Sequence, residues 1–146
     1  MDFENLIGAF VERVGYPSVP AQRADGSYPF CFDGFNTACQ EREGGECLVT
    51  GTIGPNDGDE RHREERLRRL MQVALIRAGQ GHGVFTLDRS RNEFVLCHRF
   101  ECRNIEPAQF EEQIDQFLNE LEFWVSQVGR EATAPEGMKY PFGLRP

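Results

Sequence analysis

The sequence predicts an α+β domain with the element order α-β-β-β-α-β-β-α, in which helices pack on one twisted antiparallel sheet. Stretches with amphipathic helical spacing stand at the start, in the middle and towards the end of the chain. Short alternating segments separated by turn residues lie between them, as expected for antiparallel strands. The length of 146 residues fits one domain, because domains usually hold about 100–200 residues.

The first element is a helix from Asp2 to Gly15. Its apolar residues recur three and four positions apart, which places them on one face. Gly15 followed by Pro17 predicts the end of the helix, and residues 17–26 form a loop. The apolar face consists of Phe3, Leu6, Ile7, Phe10, Val11 and Val14.

Three short strands follow, and glycines supply the turns between them. The predicted strands run from Tyr28 to Asp33, from Asn36 to Glu43 and from Cys47 to Ile53. The turns fall at Gly34 and at Gly44–Gly45. This pattern predicts an antiparallel meander with one face towards solvent.

A second helix from Asp59 to Ala78 has two different halves. Residues 61–69 carry five arginines interleaved with glutamates, and the second half is almost entirely apolar. Val73 and Ile76 lie off the main apolar stripe, so this helix must bury more than one side. A second copy of the chain is one candidate for covering that side. The main stripe consists of Leu67, Leu70, Met71, Ala74 and Leu75.

The remaining elements are a hairpin and a last helix. The hairpin pairs Val84–Asp88 with a longer strand, Glu93–Arg103. Glu106-Pro107 opens the last helix, since proline suits the first turn, and Gly129 is expected to end it. Residues 1–130 then form a single domain, and residues 131–146, rich in Pro and Gly, form a flexible tail.

The charge balance disfavours two classes of partner. The net charge is −8 at pH 7, so the overall field repels the phosphates of nucleic acids and anionic membranes. No apolar run approaches the about 20 residues of a membrane-spanning helix, and the first residues, MDFENL, do not resemble a secretory signal. We therefore expect a cytoplasmic protein that neither binds nucleic acid nor inserts into membranes.

The cysteines are expected to be reduced structural thiols rather than metal ligands or nucleophiles. Their number is odd and their spacing contains no closely spaced pair of the kind that holds zinc. Cys97 and Cys102 are expected on opposite faces of one strand, and so are the neighbours Cys97 and His98. The five are Cys31, Cys39, Cys47, Cys97 and Cys102.

No other motif indicates an active site. The glycine-rich stretch Gly79–Gly83 follows a helix instead of preceding one, so it predicts a helix end and not a phosphate loop. The arginine cluster at 61–69 has two interpretations, a solvated ion-paired helix face or a docking site for an acidic segment. A core without catalytic, metal or cofactor residues favours a binding protein over an enzyme.

Several segments resemble the type III secretion chaperones of the Tir-chaperone class. These are VGYPSV at 14–19, CLVTGTIG at 47–54, RLRRLMQVALIRAGQGHGVFTLD at 66–88 and the last helix, ECRNIEPAQFEEQIDQFLNELEFWVSQV, at 101–128. One departure is Leu75-Ile76-Arg77, where the family often has an asparagine nearby. The resemblance implies a homodimer that binds the N-terminal segment of a secreted effector and keeps it competent for export. It implies no ATP or other cofactor, with a secretion ATPase as a downstream partner.

The resemblance also directs attention to particular apolar residues. Phe3, Ile7 and Phe10 in the first helix, with Phe30 and Phe32, are candidates for effector binding. Val73, Ile76 and Phe85 are candidates for the dimer interface. All of these residues also suit an ordinary core, and the spacing leaves both interpretations open. An alternative function is an adaptor or anti-activator that sequesters a regulatory protein of the secretion system.

Overall fold

The first helix, α1, spans Phe3–Val14 in the computed structural model, which describes residues 2–80 and 83–133. The carboxylate of Asp2 caps it by accepting a hydrogen bond from the N–H of Asn5 at 2.8 Å. Gly15 adopts a φ of 73°, and the next N–H, that of Tyr16, bonds to the carbonyl of Val11 at 3.0 Å. The predicted helix is confirmed, with its two outermost residues serving as caps.

A five-stranded antiparallel sheet forms the middle of the fold, in the spatial order β1-β2-β3-β5-β4. The predicted meander and hairpin are confirmed. The last strand ends two residues before the expected Arg103, and Asn104 has a left-handed φ of 63° that turns the chain towards the last helix. The strands are β1 (Tyr28–Phe32), β2 (Phe35–Arg42), β3 (Glu46–Pro55), β4 (Val84–Asp88) and β5 (Glu93–Glu101), with one 3₁₀ turn at Glu43–Gly45.

The second and third helices are α2 (Glu60–Arg77) and α3 (Pro107–Thr133). The Asp59 carboxylate caps α2 by accepting from the N–H of His62 at 2.9 Å. The expected end of α3 at Gly129 is wrong. A glycine inside a helix costs only about 1 kcal/mol, which the flanking turns can offset, so α3 continues to Thr133. Residues 131–133 of the expected tail are thus helical, and residues 134–146 lie outside the described residues, as do Gly81 and His82.

The sheet has two different faces, because successive side chains of each strand point to opposite sides of the sheet. One face carries buried apolar side chains and is covered by α1 and α3. The other face carries a row of small or polar residues that are paired across all five strands and partly or largely exposed. That row is Pro29, Ala38, Thr50, Cys97 and Val84.

Helix α3 lies very close to β3 where the strand carries Gly51. A Cβ atom at this position would lie 2.7 Å from Cδ2 of Leu121 and 3.1 Å from the ring of Phe117, which is inside normal contact distance. The missing side chain thus permits the close approach of α3 to the sheet. The contact fixes α3 above the central strand.

Helix α2 packs against α3 instead of crossing the sheet. The Arg69 guanidinium donates to the carbonyl of Gln127 at 3.0 Å, and the Arg77 guanidinium lies 3.8 Å from the ring centroid of Phe123. Arg66 donates to the side-chain oxygen of Asn56 at 2.8 Å, which ties the start of α2 to the end of β3. Within residues 2–80 and 83–133, no helix combines the length and apolarity needed to cross a bilayer.

Candidate protein-binding surfaces

Four of the five residues expected to bind an effector lie in the core of the domain. Phe10 is 1% exposed and contacts the rings of Phe30 and Phe110 at centroid distances of 5.8 and 5.0 Å. Phe3, Ile7 and Phe30 are also buried, with 7%, 0% and 3% of their surface exposed. The aromatic rings that α1, β1 and α3 contribute fill the space between them, so this set forms the inside of the fold and not an open groove in this conformation.

The fifth residue, Phe32, lies at the rim of that aromatic cluster. It is half-buried, stacks on Phe30 at 5.1 Å and contacts the ring of Tyr16 at 5.6 Å. Val14 and Val19 are also exposed in this part of the chain, by 38% and 46%. We call Val14, Tyr16, Val19 and Phe32 the α1–β1 rim. Its two rings contact those of the buried Phe10 and Phe30.

Helix α2 exposes apolar side chains on the side that turns away from α3. Leu75 is 77% exposed, Ile76 is 74% exposed and Met71 is 52% exposed. Three large apolar residues on one helical segment form a surface patch of the kind that mediates protein association. We call this trio the α2 patch.

The α2 patch corrects the predicted distribution of residues on this helix. Met71 and Leu75 were expected on the buried stripe, but Val73 packs against the core and Leu75 does not. The buried stripe follows Leu70 at positions three and four residues away, and Leu75 is five positions from Leu70, which rotates it well off that face. Phe85 is also packed against the core. Of the three residues expected at the dimer interface, only Ile76 is therefore largely exposed to solvent.

The two edges of the sheet differ in whether another strand can pair with them. On β1, Pro29 has no N–H, and the N–H of Cys31 donates to the hydroxyl of Tyr16 at 3.1 Å. On β4, Val84 is 65% exposed, and in the part of the chain that the structure describes no strand pairs beyond β4. This difference could not be predicted from local pattern, because it depends on which strands lie at the two edges of the sheet.

The arginines of α2 serve two purposes. Arg66 and Arg69 hold the helix to its neighbours, as described above, and Arg61 pairs with Glu65 at 3.2 Å on the exposed side. An exposed pair of this kind adds only about 0.3–0.5 kcal/mol. The interpretation as an ion-paired, partly structural helix face therefore accounts for these three residues.

Three of the five cysteines, Cys39, Cys47 and Cys102, are buried. The Cys102 thiol donates to the carbonyl of Gly45 at 3.2 Å. A hydrogen bond with the Cys39 thiol and burial raise the pKa of the Cys47 thiol, and burial raises the pKa of Cys97 and of Cys102. A nucleophilic cysteine needs a lowered pKa, so these shifts run against a role in catalysis.

Cavities and metal-binding groups offer little for a small ligand. A cavity of about 150 Å³ lies beside the exposed face of the sheet and is lined by Arg23, Gln40, Thr50 and neighbours. Ligand pockets usually begin at about 300 Å³. Across residues 2–80 and 83–133, no three His, Cys, Asp or Glu side chains gather as metal ligands. Within the described residues, the exposed apolar side chains are therefore the stronger candidates for a binding surface.

A comparison with protein family models assigns the chain to a known family. The model of the Tir chaperone protein (CesT) family matches residues 5–125. The chain belongs to this family. The match includes all five strands and all of α2, and it leaves out only the first two residues of α1 and the last eight of α3. It confirms the resemblance seen in the sequence. The comparison with curated proteins finds no match.

Solved complexes share the family fold with this chain. The ExsC–ExsE complex contains a chain with a TM-score of 0.68 and 19% identity, covering 86% of this chain and 96% of that chain. The HopA1–SchA chaperone–effector complex gives 0.66 and 12%, covering 85% and 93%. The Yersinia pestis type III secretion chaperone SycH, in complex with a fragment of YscM2, gives 0.58 and 11%, covering 84% and 99%. The predicted α+β architecture is thereby confirmed.

Proposed function

We propose that this protein is a type III secretion chaperone that binds the N-terminal segment of a secreted effector and keeps it competent for export. Membership of the Tir chaperone family over residues 5–125 carries the proposal. Solved relatives of the same fold include a chaperone–effector complex and a secretion chaperone bound to a protein fragment. The function places the protein in the bacterial cytoplasm, where effectors wait for export.

The accessible surfaces support binding of an unfolded segment. Such a segment offers main-chain hydrogen bonds to a sheet edge and apolar side chains to a shallow surface. We assign effector contact to the α1–β1 rim, where the ring of Phe32 contacts that of Tyr16 and the apolar side chains of Val14 and Val19 are exposed. Phe3, Ile7, Phe10 and Phe30 support the rim from inside, because their rings and side chains hold α1 against β1.

The proposed chaperone acts as a homodimer through the α2 patch. Leu75 and Ile76 are each about three quarters exposed, so a monomer leaves their apolar surface in unfavourable contact with water. A second copy would cover both residues with the same residues of its own helix, as expected of a two-fold interface. Val73 and Phe85 contribute indirectly, because they hold α2 and β4 in place from the core side.

The proposed mechanism uses no cofactor and no catalytic group. Binding of the effector segment is passive, so an export ATPase would supply the energy that removes it. The net charge of −8 keeps the chaperone soluble while it holds an apolar client.

Capture of the native client tests the proposal. Affinity-tagged chaperone is purified from its own bacterium, and the product is examined by mass spectrometry and light scattering. We expect a chaperone dimer of about 33 kDa, twice the chain mass of 16.7 kDa, holding a secreted protein. Deleting the N-terminal segment of that protein should abolish capture, and Phe32→Asp should weaken it. Capture of a non-secreted regulator would support the adaptor alternative, and a monomer without a partner would refute the proposal.

A further inference from the structure

The two halves of α2 are attached to the domain in different ways. In the first half, the Arg66 guanidinium donates to the side-chain oxygen of the buried Asn56 at 2.8 Å. The side-chain amide of Asn92 donates to the carbonyl of Asn56 at 2.9 Å, so this acceptor is itself held in place. Among the residues of α2, all of which the structure describes, only Leu70 is buried. The first half of the helix is therefore anchored by hydrogen bonds and by a core side chain.

One side chain attaches the last turn of α2 to the rest of the domain. From Leu75 to Gln80, a stretch that the structure describes completely, every residue is exposed except the half-buried Arg77. The guanidinium carbon of Arg77 lies 3.8 Å from the ring centroid of Phe123 on α3. This distance is well inside the limit of about 6 Å for a cation–π contact. The end of α2 is thus held on α3 through the Arg77–Phe123 contact.

Arg77 makes this contact without a hydrogen bond from its Nε atom. That atom is buried and has no hydrogen-bond partner among the described residues. A buried donor without an acceptor costs free energy, whereas a cation placed over an aromatic face away from water gains it. The two contributions oppose each other, so the net attraction is small. The contact fixes one orientation of the helix end but opens more readily than the packing around Leu70.

The ring that receives Arg77 is held firmly on the side of α3. Phe123 contacts the buried Trp124 edge to face, with centroids 5.3 Å apart and planes inclined by 79°. Trp124 stacks in turn on Phe85 of β4 at 4.5 Å. The ring is therefore linked to the sheet through a buried neighbour. When the contact opens, the end of α2 moves and the ring stays in place.

We propose that Arg77 is a positioning residue, whose contact with Phe123 fixes the second half of α2 and with it the α2 patch. Met71, Leu75 and Ile76 all lie on this half of the helix. A patch that samples several positions binds its partner more weakly, because only the fraction in the competent position can bind. The contact lies within one chain and is independent of the proposed function. Its effect on association rests on the proposed homodimer.

Amide hydrogen exchange along α2 tests the contact. All chains carry Ile76→Ser, which removes apolar area from the α2 patch without placing a charge beside Arg77, so that association does not protect the amides. In Arg77→Met we expect the amides of residues 74–77 to exchange at least about tenfold faster, and those of residues 64–67 to be unchanged. Arg68→Met, at an exposed position of the same helix, is the matched control. Unchanged exchange at residues 74–77, or equal acceleration in both halves, would overturn the proposal.

A double variant shows whether the two side chains act together. Phe123→Leu removes the ring and keeps an apolar residue, so it should accelerate the same amides as Arg77→Met. The two changes combined should accelerate exchange no more than either one alone, because both remove the same contact. Additive acceleration would show that the residues act separately and would overturn the proposal. If Phe123→Leu does not fold, the comparison of Arg77→Met with Arg68→Met decides the question.

Light scattering over a range of concentrations measures the effect on association, in chains that retain Ile76. We expect the dissociation constant of the dimer to rise at least about tenfold in Arg77→Met and to be unchanged in Arg68→Met. An unchanged constant together with faster exchange would overturn the positioning role. A chain that is monomeric at every concentration, with the exchange result as expected, would refute the proposed homodimer and support the Arg77–Phe123 contact. The two failures are thereby distinguished.

Discussion

The indole of Trp124 stacks on the ring of Phe85, with centroids 4.5 Å apart and planes inclined by 28°. Phe85 stacks in turn on Phe94 at 5.1 Å, so one aromatic series runs from α3 through β4 to β5. Trp124 is the single tryptophan of the chain. Its fluorescence therefore reports directly on the contact between the last helix and the edge strand.

Phe85→Ala is expected to lower the free energy of unfolding by about 2–4 kcal/mol, because it removes a stacked ring between two elements. Chemical denaturation followed by Trp124 fluorescence measures the loss. Thr86→Ala, at the exposed neighbouring position, should change stability by less than about 0.5 kcal/mol. Equal effects of the two substitutions would show that the stack contributes nothing specific.

Gly51→Ala is expected to destabilise the fold by about 1–3 kcal/mol through overpacking. The new methyl group would meet Leu121 and Phe117, which are both buried and have little room to move. Gly8→Ala is the control, since it lies in α1 with no atom within 4 Å of its Cβ position. That substitution should stabilise the protein by about 0.5–1 kcal/mol. Thermal unfolding of both variants should show shifts of opposite sign.

Ile76→Asp is expected to give a folded monomer, because its side chain is exposed and a buried, unpaired charge would prevent association. Light scattering gives the mass, and circular dichroism confirms the fold. Val73→Asp should instead give insoluble or unfolded protein, since Val73 packs against the core. Asn119→Asp, on the exposed side of α3, serves as a charge-matched control. A dimer that persists in Ile76→Asp would exclude the α2 patch as the interface.

The buried thiols predict a loss of stability in alkali. The pKa values of Cys47, Cys97 and Cys102 are raised in the folded protein above the ordinary value of 9.0. The folded state therefore holds protons that the unfolded chain releases, and its stabilisation is complete below about pH 9 and declines above it. Denaturation at pH 8 and pH 10 measures this decline. Cys47→Ala should reduce the difference between the two pH values, and an unchanged difference would contradict the assignment.

Thiol labelling gives a second readout from the same residues. At pH 8 the exposed Cys31 should react with a disulfide reagent at once, whereas Cys39 and Cys47, both 0% exposed, should react only on opening of the fold. Mass spectrometry of the labelled peptides identifies each site. Rapid labelling of Cys47 in the native protein would show that this buried thiol is accessible to the reagent without opening of the fold.

The elements of the fold could be predicted from the sequence because periodicity is a local property. The spacing of Phe3, Ile7 and Phe10 determines a helix whatever lies beside it, and the same holds for the alternation in β3. The same spacing did not determine whether those residues line an effector-binding groove or the core. Whether an apolar face meets a partner or the chain's own α3 depends on the tertiary packing, and here Phe110 occupies the space beside Phe10.

The α2 patch shows a second limit of sequence pattern. The stretch from Met71 to Ile76 is almost entirely apolar, so periodicity alone could not define its buried side. Arg69 and Arg77 determine that side by their contacts with Gln127 and Phe123 on α3. The contacts of these two guanidinium groups orient α2 against α3, and Leu75 is left exposed.

The closed edge at β1 limits how many copies can join through their sheets. Pro29 and the bond from Cys31 to Tyr16 close one edge, so among the described residues each sheet has one edge, at β4, that another strand can pair with. In polymer chemistry such a unit is monofunctional, and joining two of them consumes both reactive ends. Growth by edge pairing therefore terminates at a pair, so the sheet is protected from becoming a fibre even when β4 is uncovered.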